Sequence, residues 1–535
     1  MKFRVDRRAT IGLMGAAAVG SLRFAQARAL TQAPGTGADR DAPDFEDASS
    51  RLASGATTST DLVRACLHRI DGLDRRGPAL RAVIERNPDA LRLAAESDAK
   101  RHRPDGTGRL DGIPVLLKDN IATGDRMCTS AGSLALAGAP AVRDAFLVRR
   151  LRAAGAVILG KTNLSEWANI RSDRSTSGWS ARGGQTRNPY ALDRNPSGSS
   201  SGSAVAVAAG YAPLAVGTET DGSIVSPAAV CGIVGIKPTV GLVSRDGVIP
   251  VSHSQDTAGA LAGTVRGAAA LLCVLAGRDD RDPVTIAAPD DVDYIGACTV
   301  DGLAGARIGV VRAMFGGHPG VRRCIDAAID QMRGCGAAVV DPVEMPSTKD
   351  YEDAELEVLL TELRVDLERY LEQFAPRAPV HTLAELIEWN RRNAAREMPF
   401  FDQELFERSA ATGPLDGQRY LDARASCVRL ARTEGIDVAM DRHGLDALLA
   451  PTSDPAWLTD FVNGDHYGQS FSTPAAVAGY PHITVPAGFV DGLPVGVSLV
   501  GRAFQEATLF RLAYAYEQAS KARRPPRFLP TVAMA

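Results

Sequence analysis

Two clusters of serine and glycine carry hydroxyl groups that could act as nucleophiles. The sequence reads SGSSSGS at 197–203 and GTETDGSI at 217–224. Segments this rich in glycine and serine are often flexible linkers, but the apolar runs AVAVAAG, APLAVG and IVGIKP lie between and after these clusters. Glycine lets a backbone approach a substrate closely, and serine supplies a reactive hydroxyl. We therefore predict a catalytic segment here and not a linker.

This segment resembles the signature segment of the amidase signature family, whose usual form is close to GGSSGGS…GTDxGGSI…P…GxxGxKPT. Two further blocks are similar to that family, DGIPVLLKDNI at 111–121 and AVAGYPHITVPAGFVDGLPVGVSLVGR at 476–502, and the resemblance covers roughly residues 45 to 520. Within the family, the stretches NLSEWANIRSDRSTSGWS and APTSDPAWLTDFVNGDHY are most similar to bacterial peptide amidases. Two residues depart from the common pattern, because Ser197 and Asp221 each stand where glycine is usual.

The resemblance implies a Ser–Ser–Lys triad that hydrolyses amides without a cofactor. Ser223 is the implied nucleophile, Ser199 relays its proton after a cis peptide bond, and Lys118 is the base. On its own, a lysine after an apolar strand such as IPVLL at 113–117 would be expected to face solvent. To act as a base near pH 7, Lys118 needs a pKa lowered by roughly three units from about 10.4. Burial beside apolar groups can lower it in this way.

Amide hydrolysis also needs hydrogen-bond donors for the oxyanion that forms on the carbonyl oxygen. The loop 220–223 follows a predicted strand and precedes a short predicted helix. Its backbone N–H groups could turn inward as an anion-binding nest. We therefore assign the oxyanion hole to the N–H groups of Thr220, Asp221, Gly222 and Ser223. The alternative is that Ser223 is an ordinary helix cap.

The predicted reaction is hydrolysis of the C-terminal carboxamide of a peptide to the free acid and ammonia. One alternative is a broader amidase for aliphatic or aryl amides, and another is the ammonia-releasing subunit of a tRNA-dependent amidotransferase. A non-catalytic binding protein on the same fold would need a lost triad member, and none is missing. We expect pocket walls in the loop 127–133, the segment 172–179 and a helical insertion, with substrate contacts from Met127, Thr129, Ser130, Ser172 and Trp179.

The elements around these motifs predict an α/β fold. Apolar strands end at Lys118 and at residues 159 and 217, and helical segments at 144–153 and 200–209 alternate with them. This alternation predicts a single large domain over residues 44–525, with a central mixed sheet flanked by helices on both faces. Residues 345–440 are charged and short of strand patterns, so we expect a helical insertion there. A leucine stripe within 351–374 either packs in the main core or belongs to a helix that covers the site.

The first 29 residues have the architecture of a secretory signal peptide. A basic start precedes an apolar stretch from Ile11 to Leu22, and small residues suitable for cleavage follow. Arg7 and Arg8 indicate the twin-arginine route, although they also fit the basic start of a general secretory signal. Residues 30–43 have the composition of a disordered lead-in. We expect an exported protein that is periplasmic or secreted.

Composition argues against several other classes of function. The net charge of −3 gives no basic footprint for nucleic acid. The apolar stretch near the N-terminus is too short for stable membrane insertion. The eight cysteines and eight histidines show no metal-ligand spacing, so we expect neither a metal nor a cofactor. The expected partner is a small-molecule or peptide amide substrate, and the expected state is a monomer.

Overall fold

A mixed β-sheet runs through the centre of the protein. The computed structural model describes residues 44–101, 108–289 and 292–532, so the predicted signal segment 1–29 and lead-in 30–43 lie outside the described residues. The described strands are β1 Val83–Arg86, β2 Pro114–Lys118, β3 Val157–Thr162, β4 Trp179–Ser180, β5 Gly184–Gln185, β6 Leu214–Glu219, β7 Val234–Lys237, β8 Thr257–Ala262, β9 Arg307–Val310, β10 Ala338–Val340, β11 Ala447–Pro451, β12 His482–Val490 and β13 Leu493–Val500.

The strands alternate with helices along much of the chain. The described α-helices are α1 Phe45–Ala53, α2 Ser59–Leu73, α3 Ala90–Lys100, α4 Phe146–Ala153, α5 Ser201–Ala208, α6 Val225–Val230, α7 Val265–Leu275, α8 Pro319–Gly334, α9 Glu352–Phe374, α10 Leu383–Arg392, α11 Ala394–Glu397, α12 Glu404–Ala410, α13 Gln418–Cys427, α14 Val438–His443, α15 Ser472–Ala478 and α16 Glu506–Ser520. A π-helical stretch, Val428–Asp437, joins α13 to α14. Among these described helices, none combines the length and the hydropathy that a membrane span requires.

Eleven of the described strands pair in the order β1-β3-β2-β6-β8-β7-β12-β13-β11-β9-β10, and β4 and β5 form a separate hairpin. The pairs β2–β3, β2–β6, β9–β10 and β9–β11 are parallel, and the other pairs in the sheet are antiparallel. The sheet is therefore mixed.

Helices cover both faces of the sheet because its central strands are apolar on both sides. Along β2, Val115 and Leu117 belong to one buried cluster and Leu116 belongs to another. Successive side chains of a strand point to opposite faces, so each face has its own core. Helix α5 packs on β2, β3 and β6 over the core that holds Leu116, and α7 packs on β6, β7 and β8 over the other core. The predicted single α/β domain with a central mixed sheet is confirmed.

The parallel pairing of β2 with β6 brings the predicted site residues to one edge of the sheet. Leu117 of β2 lies opposite Val216 of β6, so both strands end at the same edge, where α/β folds place their functional loops. Lys118 is the last residue of β2, and the loop 220–223 follows β6. Helix α5 begins at Ser201 beside these strands, and the SGSSSGS cluster runs into it.

The described chain between β10 and β11 is helical. On α9, Leu360, Leu363, Leu367 and Leu371 are buried and belong to the main core. Leu359 of the same helix is partly buried and lines the cavity described below. Helices α12 and α13 pack against α9. This part of the chain therefore contributes both to the core and to a cavity wall.

Candidate active site

Lys118 ends β2 inside the protein, where it contacts Ser199. Its side chain is fully buried, and Nζ lies 2.7 Å from the Ser199 hydroxyl. Nζ also lies 3.1 Å from the carbonyl oxygen of Thr218 and 2.9 Å from its Oγ1. The Gly198–Ser199 peptide bond is cis, as the resemblance implied. The structure thus brings the predicted base and the predicted relay into hydrogen-bonding contact.

The three oxygens around Lys118 Nζ can be satisfied by an ammonium group or by a neutral amine. A neutral amine has two N–H donors and one lone pair, whereas an ammonium group has three donors and no lone pair. The two donors can bond to the two oxygens of Thr218, which leaves the lone pair for the hydroxyl of Ser199. Burial lowers the pKa of Lys118 to about 7, although the charges of Asp256 and Glu219 raise it. At neutral pH, Lys118 can therefore accept a proton.

Ser223 lies on the wall of a cavity of about 430 Å³ and is 7% exposed. Ser199, by contrast, is fully buried. The backbone N–H of Ser200 donates to the carbonyl oxygen of Ser223 at 3.1 Å, so the two serine segments are bonded to each other. Ser223 is thus reachable from the cavity, whereas Ser199 and Lys118 are buried away from it, as a relay from substrate to an internal base requires.

The loop 220–223 presents N–H groups at the cavity. Within the described residues, the backbone N–H groups of Asp221, Gly222 and Ser223 donate to no protein acceptor. The next two N–H groups in the chain donate to the Glu219 carboxylate at 2.6 and 3.0 Å. Gly222 has a φ of +74°, and a Cβ there would lie only 2.9 Å from the hydroxyl oxygen of Ser472. Thr220 lines the same cavity. This loop can therefore offer donors to an oxyanion beside Ser223.

Comparison with known proteins identifies the family to which this arrangement belongs. The amidase family profile matches residues 61–510. The chain belongs to the amidase family. It is 41% identical to a probable amidase of Arabidopsis thaliana, over 88% of this chain and 89% of that one. It is 39% identical to a glutamyl-tRNA(Gln) amidotransferase subunit of Chloroflexus aurantiacus, over 88% and 95% of the two chains.

Among solved structures, the native peptide amidase of Stenotrophomonas maltophilia matches this amidase with a TM-score of 0.87 and 53% identity. The match covers 91% of this chain and 98% of the other. The predicted membership in the amidase signature family and the predicted similarity to peptide amidase are both confirmed. The chain is an enzyme that hydrolyses amide bonds.

The cavity of this amidase is acidic. Within the described residues, the charged side chains on its wall are all carboxylates, from Asp173, Asp221 and Asp465. One oxygen of Asp221 accepts a hydrogen bond from Thr473 at 2.7 Å, and the other is shielded from solvent and has no partner. Burial raises the pKa of Asp221, although the hydrogen bond from Thr473 opposes this effect. The residue that replaces the family's usual glycine thus places a carboxyl group two residues before the nucleophile.

Of the five predicted substrate contacts, the structure places only Ser172 on the cavity wall. Its hydroxyl donates to Glu404 of α12 at 2.7 Å. Ser172 thereby connects the segment 172–179 to the helical part of the chain between β10 and β11.

The other four predicted contacts, Met127, Thr129, Ser130 and Trp179, do not line this cavity. Each side chain is taken up by the interior. Met127 is buried in the main core, Thr129 accepts from Lys161 at 2.9 Å, and Ser130 donates to Asp119. Trp179 packs edge-on against the rings of Phe400 and Phe401, with centroids 5.5 and 5.2 Å apart.

Four further residues that line the cavity were not predicted from the sequence. Asp465, Tyr467, Ser472 and Thr473 line the cavity from the segment before and within α15. The motif APTSDPAWLTDFVNGDHY contains the first two of them, but polar loop residues alone do not show which side chains face a substrate. The sequence interpretation also gave no role to Glu219, although its carboxylate holds the first N–H groups after the nucleophile.

Proposed function

We propose that this amidase hydrolyses the C-terminal carboxamide of peptides to the free acid and ammonia. The observation that carries this proposal is the buried contact of 2.7 Å between Lys118 Nζ and the Ser199 hydroxyl, next to a cavity lined by Ser223. A serine hydrolase that uses lysine in place of histidine as its base needs such a contact between the lysine and a serine. The 53% identity to a peptide amidase supports the choice of substrate.

In the proposed reaction, Ser223 Oγ attacks the carbonyl carbon while its proton passes through Ser199 to Lys118. The carbonyl oxygen becomes an oxyanion, which the N–H groups of the loop 220–223 stabilise. Removal of one such donor typically slows an enzyme by about 100- to 1,000-fold. The proton then returns through Ser199 to the amide nitrogen, the C–N bond breaks, and ammonia leaves. Water hydrolyses the ester on Ser223 by the same proton path.

The cavity supports a peptide substrate over a simple amide. A peptide backbone needs hydrogen-bond partners along its length, because unpaired polar groups are costly to bury. The segment 169–177 contributes Asn169, Ser172, Ser175 and Ser177 to the wall, and the segment 465–473 contributes further hydroxyl groups. A small aliphatic or aryl amide would leave most of these groups unused. Cleavage of an internal peptide bond would need a second open groove, because the substrate then continues beyond the scissile amide on the leaving-group side. The proposed specificity therefore assumes a leaving-group side with room only for NH2.

The second candidate is an ammonia-releasing component of a tRNA-dependent amidotransferase. The 39% identity to a glutamyl-tRNA(Gln) amidotransferase subunit favours it. Such a protein would purify together with partner chains and would hydrolyse glutamine. The greater identity to a peptide amidase, 53%, favours independent hydrolysis.

The proposed substrate is tested with a matched panel. The purified protein is incubated with a tripeptide amide, the same tripeptide extended by one residue, a small aryl amide and glutamine, and products are measured by mass spectrometry. We expect the tripeptide amide to be converted to the acid at the highest kcat/KM and the extended peptide to stay intact. Ser223→Ala is the matched control and should convert none of them. Cleavage of the extended peptide, or a higher kcat/KM for the aryl amide or glutamine, would overturn the proposed specificity.

We also propose that the protein is exported and acts as a monomer in the periplasm or outside the cell. The support is the basic and then apolar pattern of residues 1–29, with Arg7 and Arg8 preceding the apolar stretch. N-terminal sequencing of protein from the envelope fraction should find a start near Arg28 or Leu30. Protein that keeps Met1 and stays in the cytoplasm would refute export. Size-exclusion chromatography with light scattering measures the mass expected of a monomer.

A further inference from the structure

Asp256 contacts the loop 220–223, which we call the oxyanion loop. It precedes β8, whose first residue, Thr257, pairs with Glu219 at the end of β6 in antiparallel register. This register places Asp256 beside Thr220, the first residue of the loop. Asp256 is 7% exposed, and neither the sequence motifs nor the proposed reaction gives it a role.

Both carboxylate oxygens of Asp256 hold hydrogen bonds. One accepts from the Thr220 hydroxyl at 2.5 Å. The other accepts from the backbone N–H groups of Val251 at 2.7 Å and Ser252 at 2.9 Å. An amide in this place could accept from the two N–H groups and donate its NH2 group to the Thr220 hydroxyl, which would then be the acceptor. The hydrogen bonds therefore fit an amide of the same shape, and what the carboxylate adds is its negative charge.

Asp256 also belongs to the charged surroundings of Lys118. Two anions act on the buried amine, Asp256 ahead of β8 and Glu219 at the end of β6. Glu219 is committed to the N–H groups that follow the nucleophile. Burial raises the pKa of Asp256 to about 6, and the charge of Arg245 opposes this effect. Asp256 is therefore ionised in the neutral and alkaline range.

A segment that we call the strap, residues 250–256, fixes Asp256 against α9. The Ser254 hydroxyl donates to Glu362 at 2.5 Å, and the Gln255 amide donates to Glu355 at 2.8 Å. His253 lies between two carboxylates, with its ring nitrogens 2.8 Å from Asp366 and 3.3 Å from Glu362. Burial lowers the pKa of His253, but these two carboxylates more than offset that effect, so it is raised overall. The Ser252 hydroxyl also donates to Glu362, so the strap is bonded to α9 at four successive residues.

The groups around Asp256 also include those of a small pocket that shares no lining residue with the substrate cavity. Arg245, His253, Asp282 and Asp366 line that pocket together with Asp256. Arg245 forms an ion pair with Asp282, and His253 forms one with Asp366. These pairs largely neutralise one another, so the ionised Asp256 remains an anion on the side of Lys118 and Thr220.

We propose that Asp256 is a positioning residue for amide hydrolysis, which holds the oxyanion loop through Thr220 and supplies one of the anions that Lys118 faces. This proposal rests on the Ser223–Ser199–Lys118 mechanism proposed above. It assigns two separable effects to one carboxylate. The hydrogen bond to Thr220 orients the loop and acts on kcat. The charge acts on the proton affinity of Lys118 and therefore on the pH at which the enzyme becomes active.

Two variants separate these effects. Asp256→Asn removes the charge and keeps a hydrogen-bonding group beside Thr220, whereas Thr220→Val removes the hydroxyl and keeps the backbone N–H. Loss of a neighbouring anion favours the neutral amine, so the acid limb of the kcat/KM profile should move to lower pH by about one unit in Asp256→Asn. Thr220→Val should lower kcat by roughly tenfold with its acid limb unchanged, a smaller loss than that of a missing oxyanion donor. Asp353→Asn, at an exposed position of α9, is the matched charge control and should leave both quantities unchanged.

The profiles are measured on the full-length enzyme with a peptide amide between pH 5 and 10, with circular dichroism as the check of folding. A merely structural role of Asp256 would lower activity without moving the acid limb. An unmoved limb in active Asp256→Asn, or a wild-type kcat in Thr220→Val, would overturn the proposal. If Asp256→Asn does not fold, the kcat of Thr220→Val alone decides. Full activity of Lys118→Ala would instead refute the underlying mechanism and leave the loop contact of Asp256 to be judged separately.

Discussion

Replacing Lys118 with methionine should abolish catalysis and at the same time stabilise the protein. Burial holds the pKa of Lys118 at about 7, against an ordinary value of 10.5. At about 1.4 kcal/mol for each pKa unit, the charged amine costs the folded state about 5 kcal/mol at acidic pH. Methionine fills a similar volume without a charge. The substitution therefore removes this cost together with the base.

The hydrogen bonds of Lys118 offset part of this gain. Thr218 O also accepts from Ser200 Oγ at 2.9 Å, and Thr218 Oγ1 also accepts from the Asn120 amide at 2.9 Å, so both keep a partner. Ser199 Oγ loses its contact with Nζ, and an unsatisfied buried hydroxyl costs about 1–3 kcal/mol. The net stabilisation expected for Lys118→Met is about 2–4 kcal/mol.

The gain should depend on pH in a defined direction. Below pH 7, Lys118 is charged in both the folded and the unfolded state, and the full cost is present. Between pH 7 and 10.5 the unfolded state binds more protons than the folded state, so wild-type stability rises with pH. The net advantage of Lys118→Met should therefore shrink by about 1.4 kcal/mol for each pH unit above pH 7 and disappear between about pH 8.5 and pH 10.

Urea unfolding of both proteins at pH 6, 7, 8 and 9 measures this difference, and kcat/KM for a peptide amide measures the loss of the base. We expect a loss of at least about 10⁴-fold, as for other triad members. Lys161→Met is the matched control, because Lys161 is also buried but contacts Thr129 and not the serines. It should retain amide hydrolysis. A Lys118→Met protein that is less stable than wild type at pH 6, or an advantage that stays constant with pH, would refute the reasoning.

Three further predictions concern the same site. Ser223→Ala should keep the fold but form no acyl-enzyme by mass spectrometry, and adding Ser199→Ala should lower kcat by far less than the product of the two single effects, because the triad acts as one unit. The kcat/KM of the wild type should rise with pH through about 7, where Lys118 loses its proton, and a rate that is flat from pH 5 to 9 would contradict this. Asp221→Gly, which restores the family's usual residue, should reduce the preference for a tripeptide amide over a small aryl amide by about tenfold in competition assays, and an unchanged preference would exclude Asp221 as a specificity residue.

The strand that ends at Lys118 and the helix that follows the serine cluster could be predicted from local sequence, whereas the contact of Lys118 with Ser199 was implied only by the family resemblance. IPVLLK predicts a buried strand with a lysine at its end, and the SGSSSGS cluster precedes an apolar run with no charged residue. In the structure these segments are β2 and the start of α5, with Lys118 beside Ser199. Apolar patterns and glycine positions predict such elements because each pattern depends only on residues within one helix or strand.

The substrate wall and Asp256 could not be predicted because they depend on partners far away in the chain. The sequence suggests Thr129 as a pocket residue, but in the structure its hydroxyl accepts a hydrogen bond from Lys161 of β3. Asp256 reaches Thr220 only because β6 and β8 pair antiparallel in one register. A register shift by one residue would turn the side chain to the opposite face. The register of such a strand pair depends on the packing of the whole sheet and cannot be predicted from a local sequence pattern.

The catalytic residues and much of the cavity wall come from different segments of the chain. This separation makes the amidase suitable for chimeras in which wall segments are exchanged with those of a relative. The proposed triad lies within residues 114–230, whereas Leu359, Leu405 and the segment 465–473 supply much of the outer cavity wall. Segments exchanged with a relative could therefore change the substrates without moving the catalytic serines. Such a chimera must still keep Glu355, Glu362 and Asp366, because these side chains hold the strap on which Asp256 depends. A chimera that lacks these three carboxylates would have a changed substrate cavity, but its loop 220–223 would be held less firmly.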